Sequence, residues 1–247
     1  MSAQMVYLAL TGLNATMDRM TVSSNNLANA STTAFKSQQP VFEAEPYYDQ
    51  GLPDRVNVAA ETGTIDFAQG PVQQTGRSLD VAVKGQGWIG VQAADGTPAL
   101  TRNGSLSVTP TGVLQTSDGN PVLGKGGAPI TLPPLQSVTI GEDGTISGVL
   151  VGQTPDQIET VNRILLAKPP NAALQRRSDG LFQNPLATPT PDASVQLQIG
   201  SLEGSNANPV SMMMSMIENT RMFQMQSELV HFALTSSQGQ NSPLTLT

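Results

Sequence analysis

Between Val6 and Leu27 the chain reads VYLALTGLNATMDRMTVSSNNL, and the spacing of the apolar residues in this stretch decides the fold. Val6, Leu10, Leu13, Met17, Met20, Ser24 and Leu27 alternate spacings of four and three, and six of the seven are apolar. That period is the heptad seam of an α-helix. At about 1.5 Å per residue the seam runs for about 30 Å, and a helix this short gains most of its stability from packing its apolar face against something else. The far end of the chain supplies a candidate. Asn208 fits a helix N-cap, and Pro209 fits the first helical position, where its missing N–H costs nothing. Downstream, Met213, Met216, Thr220, Phe223, Ser227, Val230 and Leu234 repeat the spacing, and a second apolar row runs through Met222, Met225, Leu229 and Phe232. Two adjacent rows are expected of a helix with more than one neighbour, and equally of a helix with one broad core face.

The middle of the chain has a different grammar. Asp95-Gly96, Asn103-Gly104, Thr111-Gly112, Asp118-Gly119 and Asp143-Gly144 punctuate it, and such pairs tolerate the positive φ that tight hairpin turns demand. An antiparallel β-meander is expected, with strands near 79–83, 88–92, 105–109, 137–140, 145–151 and 195–199, and a further strand within 158–168. Residues 36–78, with Pro40, Pro46, Pro53 and Pro71 and little periodicity, read as an extended linker. The expected fold class is therefore α+β, mainly β. The expected divisions are an N-terminal helix in 1–35, the linker in 36–78, an antiparallel β-rich domain in 79–202, and a C-terminal helix in 203–247 that pairs with the first in coiled-coil fashion.

Composition narrows the function. Only 13% of the 247 residues are charged, well below the roughly 25% of a typical soluble domain, so copies of this surface repel one another weakly, as suits a packed assembly. A net charge of −7 argues against nucleic acid, whose binding rests on Lys and Arg displacing counterions. Without cysteine there is no disulfide framework, thiol nucleophile or cysteine metal site. The first thirteen residues lack the basic start and long apolar run of a secretory signal peptide, and no run of apolar residues reaches membrane-spanning length.

Where the first heptad ends, the sequence continues Ser24-Asn25-Asn26-Leu27-Ala28-Asn29-Ala30-Ser31-Thr32-Thr33-Ala34-Phe35-Lys36. Asn residues close a helix well, because their side chains bond local backbone groups and tolerate left-handed geometry. The segment resembles the SxNNLANxxTxGFK signature of the flagellar axial family of rod, hook and hook-associated proteins, with Ala34 where that family usually has Gly; a positive-φ turn there is expected to be displaced or strained. Two further stretches are similar to the same family. Leu79-Asp80-Val81-Ala82-Val83-Lys84-Gly85-Gln86-Gly87-Trp88, followed by Thr101-Arg102-Asn103-Gly104, resembles its LDVAIxGxGFF and YTRxGxF elements. Leu202-Glu203-Gly204-Ser205-Asn206-Ala207-Asn208-Pro209-Val210 resembles its LExSNVNxV lead into the last helix.

Other signals compete and read as weaker. Gly85, Gly87 and Gly90 satisfy G-x-G-x-x-G, but dinucleotide binding requires a helix to open there, whereas Ile89 and Val91 continue a strand; the glycines read as close strand approach. His231 is the one histidine and sits on a helix, where it reads as a packing residue rather than a base. Glu142 and Asp143 beside Gly144 read as turn residues. The Asn29-Ala30-Ser31 and Asn103-Gly104-Ser105 sequons read as chance. No catalytic residue, cofactor or metal is expected.

The resemblance implies a non-enzymatic subunit of the flagellar basal-body rod, exported by the flagellar type III apparatus without a cleavable signal. It would assemble in the periplasm with itself and other rod proteins, helices inside and β-domain outside, and bind neither nucleic acid nor a small-molecule substrate. About forty residues separate Phe35-Lys36 from Leu79-Asp80, and this compactness favours a proximal-rod subunit over distal-rod and hook subunits. A periplasmic glycan hydrolase and a secreted β-rich binding module are the readings from other classes.

Overall fold

The computed structural model describes residues 2–49, 52–154 and 157–239, and side chains within these except those of 2–9, 42–49, 52–62, 233, 234 and 236–239. It divides into two units, one of residues 1–30, 36–66 and 207–247, the other of 31–35 and 67–206. The expected α+β class holds.

In the first unit, helix α1 (Ser2–Ala28) packs against helix α2 (Pro209–Gly239) and the base of a hairpin. Asn208 caps α2 as expected, its Oδ1 accepting from the backbone N–H groups of Val210 at 3.0 Å and Ser211 at 3.3 Å. Among the described residues neither helix is long and apolar enough to cross a membrane. The hairpin corrects the sequence reading. Residues 38–65 are no linker but two long antiparallel strands, β1 (Gln38–Asp49) and β2 (Leu52–Ile65). Their prolines hid them, yet a two-stranded ribbon has a free edge on each strand, where a residue without an N–H is tolerated. The register shifts beside Pro40 and again between Tyr47 and Tyr48.

The second unit is built of short strands: β3 (Val72–Gln74), β4 (Val81–Lys84), β5 (Trp88–Gln92), β6 (Pro98–Thr101), β7 (Leu106–Val108) and β8 (Leu114–Thr116) come first. There follow β9 (Leu135–Ile140), β10 (Thr145–Leu150), β11 (Glu159–Arg163), β12 (Leu166–Ala167), β13 (Gln175–Arg176), β14 (Phe182–Gln183), β15 (Gln196–Ile199) and β16 (Ser201–Glu203). The pairs β5–β6 and β7–β8 and the sheet β9–β10–β11 are sequential hairpins, as a meander requires. The largest sheet is not a meander: its order β12-β5-β6-β14-β13 inserts late strands beside early ones. Likewise β15 pairs with β4 and β16 with β3, so the last strands of the unit close onto its first. Val81, Val83, Ile89, Val91, Leu106, Leu114, Ile130, Ile146, Ile164 and Leu197 fill the core these sheets surround. The unit therefore reaches beyond 79–202 on both sides, and 158–168 splits into β11 and β12. Gly96, Gly112, Gly119 and Gly144 adopt the expected positive φ. Asn103-Gly104 is not such a turn; a Cβ at Gly104 would stand 1.7 Å from the Val81 carbonyl oxygen, so this glycine is there for close backbone approach.

Candidate functional site

The residues singled out by the sequence fall into two groups, one in each unit. In the first unit the α1–α2 seam runs along small and polar side chains. Ala15, Thr16, Ser23 and Asn26 of α1 and Asn219 of α2 are buried. Thr16 Oγ1 donates to Gln226 Oε1 at 2.9 Å, and a Cβ added to Gly12 would lie 3.3 Å from Gln226 Nε2. Asn26 Nδ2 donates to the Gln38 carbonyl at 2.7 Å and its Oδ1 accepts from Gln38 N–H at 2.9 Å. This one amide thus fastens the end of α1 to the start of β1. Asn29 closes the helix, its N–H and Nδ2 both donating to the Asn25 carbonyl, at 3.1 and 2.9 Å.

The heptad residues divide between half-buried and exposed positions. Leu10 and Met17 are exposed, while Leu13, Met20 and Leu27 are half-buried; Asn25 and Ala28 are exposed. On α2, Met216, Phe223 and Val230 are half-buried but Met213 is exposed; Met212, Ser215, Met222 and Gln226 are also half-buried, and Asn219 is buried. Of the second expected row, Met225, Leu229 and Phe232 are exposed. Val6 and Leu234 lie outside the described side chains. The heptad rows are therefore split: Leu13, Met20, Leu27, Met216, Phe223 and Val230 are half-buried beside small and polar residues, while Leu10, Met17 and Met213 are exposed.

In the second unit the three quoted motifs converge. Ala34 adopts φ 58°, so the left-handed turn stays where the family puts glycine and is strained rather than displaced. Its N–H donates to the Glu203 carbonyl at 2.8 Å, and Asn206 N–H donates to the Phe35 carbonyl at 3.2 Å. Phe35 is half-buried beneath Arg176, whose Cζ stands 4.8 Å from its ring centroid and 5.3 Å from that of Phe182. Lys36, which opens the next part of the first unit, is fully buried. Leu79 packs partly buried on the core. Asp80 is buried and accepts from Arg77 Nε at 2.9 Å and Thr75 Oγ1 at 2.8 Å, while its carbonyl accepts from Gly200 N–H at 2.7 Å.

At the centre lies an ion pair that the sequence reading missed. Arg102 Nε stands 2.9 Å from Glu203 Oε2, the two side chains 3% and 0% exposed. Arg102 also donates to the carbonyls of Val83 at 3.1 Å and Gly85 at 2.6 Å, and its Cζ lies 5.8 Å from the Trp88 ring centroid. Glu203 Oε1 accepts from Gly70 N–H at 3.1 Å. Burial pushes the Arg102 guanidinium down, against the opposite pull of Glu203. Thr101 Oγ1 accepts from Asn103 N–H at 3.0 Å. Gly87 sits so close to Val195 that a Cβ would be 2.5 Å from Val195 Cγ1, and strand β5 occupies the place where a dinucleotide fold needs a helix. The signal for Glu203 was present: a lone carboxylate between Leu202 and Gly204, in a weakly charged chain, needs a buried partner.

His231 is exposed on α2. Asp143 is held below the usual carboxylate range by hydrogen bonds from Thr145 and by Arg163, and Asp95 and Asp192 are also pushed down. That is opposite to what a general acid of glycoside hydrolysis requires.

Comparison with known proteins bears on the same three regions. Residues 7–36 match the model of the flagella basal body rod protein, 82–148 that of the flagellar hook protein FlgE/F/G D1 domain, and 198–233 that of the flagellar basal body rod FlgEFG protein C-terminal. The chain is 40% identical to flagellar basal-body rod protein FlgF of Salmonella typhimurium over 91% of this chain and 92% of that protein. It is 39% identical to the FlgF of Escherichia coli over the same shares. To flagellar basal-body rod protein FlgG of Buchnera aphidicola subsp. Schizaphis graminum it is 31% identical, over 92% of this chain and 94% of that protein. The geometry of the three motifs and these likenesses lead to one conclusion: the chain belongs to the flagellar basal-body rod protein family.

Proposed function

We propose that the chain is a structural subunit of the proximal rod, exported by the flagellar type III apparatus and assembled in the periplasm with itself and other rod proteins. The observation that carries this reading is the mismatch between the two faces of the helix pair. The helix pair buries Ala15, Thr16, Ser23, Asn26 and Asn219 and half-buries Leu13, Met20, Met216, Phe223 and Gln226, while Leu10, Met17, Met213, Met225, Leu229 and Phe232 face solvent. Exposed apolar rows of this kind mark interaction surfaces. Neighbouring subunits' helices bury the outer rows in coiled-coil fashion, so that the helices line the inside of the rod and the β-rich unit faces outward. The greater identity to the two enterobacterial FlgF proteins than to FlgG supports the proximal position.

The test is a Leu229→Asp variant, expressed in cells lacking the native protein and sought by mass spectrometry in purified hook–basal bodies. The variant is expected to be absent from them while its β-rich unit retains wild-type Trp88 emission. Incorporation at the wild-type level would remove the reading.

A further inference from the structure

We propose that Met17, Met213, Met214 and Met225 form an oxidation site for hydroperoxides, and that their conversion to sulfoxide removes the free chain from assembly; the second half rests on the assembly reading above. All four are more than half exposed. Met20, Met212, Met216 and Met222 are half-buried, with Met212 Sδ 3.8 Å from Asn26 Nδ2 on the intrachain seam. The helix pair thus sorts its described methionines into an outer set open to solvent and an inner set screened by the partner helix. Because the chain has no cysteine, thioethers are its only sulfur for a two-electron oxidant. In the reaction the thioether sulfur attacks the distal oxygen of the peroxide. The O–O bond breaks, an S–O bond forms and sulfur gives up two electrons; the remaining oxygen takes the proton and leaves as water or alcohol.

The consequence follows from where the outer set lies. Met213, Met214 and Met225 are three of the seven large apolar side chains exposed among the described residues of α2, and Met17 continues the exposed row of α1 one heptad beyond Leu10. Unoxidised methionine suits this face, being flexible enough to fit neighbours of differing shape. A sulfoxide puts a strong acceptor without a partner into a surface that must become dry, and burial of such a group costs on the order of a tenfold loss of affinity per site. Assembly would in turn shield the outer set, so the vulnerable species is the free subunit.

The experiment treats purified full-length chain briefly with hydrogen peroxide, quenches it, and maps sulfoxide by peptide mass spectrometry. The treated chain is then mixed with untreated chain and purified rod subunits, and the ratio of oxidised to unoxidised peptide is read in the sedimented assembly. The expected map shows Met17, Met213, Met214 and Met225 oxidised several-fold faster than Met212, Met216 and Met222, and the assembly is depleted of each sulfoxide by about tenfold. A variant with all four replaced by Leu is expected to assemble equally before and after peroxide. Uniform oxidation of the mapped methionines, sulfoxide in the assembly at its input ratio, or a quadruple-Leu variant that stays peroxide-sensitive would each overturn the proposal. Failure of the untreated chain to assemble would count against the assembly reading, while the peptide map still decides the oxidation site by itself.

Discussion

Replacing Arg102 by Met removes the guanidinium from the centre of the β-rich unit while keeping most of its volume. Glu203 is then left a fully buried carboxylate that has lost the Arg102 guanidinium, its Oε1 still accepting from the Gly70 N–H. Removing one member of a buried pair costs about 3–5 kcal/mol. The Val83 and Gly85 carbonyls also lose their guanidinium donor, at about 1 kcal/mol each, although water reaching the partly exposed Gly85 carbonyl offsets some of that. A net loss of about 4 kcal/mol is expected, a large part of the 5–15 kcal/mol that typically holds a domain together. For a unit of this size it lowers the melting temperature by about 12 °C. Urea denaturation followed through Trp88 reads the transition directly, since this is the one tryptophan of the chain and is buried beside the pair. The double variant Arg102→Met with Glu203→Leu is the control, because apolar replacement of both members of a buried pair is often neutral. It is expected to recover most of the loss, standing about 3 kcal/mol more stable than Arg102→Met alone. A single-variant loss below about 1 kcal/mol, or additive losses in the double variant, would refute the reasoning.

Ala34 makes a sharper comparison. Glycine there relieves about 1–2 kcal/mol of left-handed strain but gives back about 0.4–1 kcal/mol through the freer unfolded chain and about 0.8 kcal/mol through a lost buried methyl. Ala34→Gly should therefore melt close to wild type, whereas the β-branched Ala34→Val should lose about 2 kcal/mol or more; a valine variant as stable as wild type would show that the turn is not strained. Asn26→Leu removes both hydrogen bonds to Gln38, and hydrogen exchange is expected to show the Gln38 amide losing roughly tenfold or more of its protection, with unchanged protection counting against the tie between α1 and β1. Hydrogen bonds from Arg177 first and Thr97 next hold Asp95 below the usual carboxylate range. Because its folded pKa is depressed, its contribution is present above the ordinary value of about 4 and lost as pH falls below it. The stability gap between wild type and Asp95→Asn should thus narrow as pH falls from about 5 toward 2, and a gap that widened on acidification would be inconsistent with that sign.

What could be read from the sequence, and what could not, divides by range. Local signals worked: the Asn208-Pro209 start of α2, the strand Trp88–Gln92 and the positive-φ glycines follow from a few adjacent residues. The heptads identified two helices, but a search for large apolar residues passes over the small and polar Ala15, Thr16, Ser23 and Asn26 that are buried on α1. Pairings of distant segments left no local trace. Nothing near Val81 announces Ile199, and nothing near Arg102 announces Glu203, although both pairings hold the unit closed. The β1–β2 ribbon was hidden for the opposite reason, since its prolines argue against strands in a sheet interior and this sheet has none.

The central claim, that this chain is a structural part of the rod, is tested most directly by quantitative mass spectrometry of detergent-purified hook–basal bodies from cells that express it. The account predicts the chain in those particles in amounts comparable to the other rod subunits. Its absence from intact basal bodies would contradict the account.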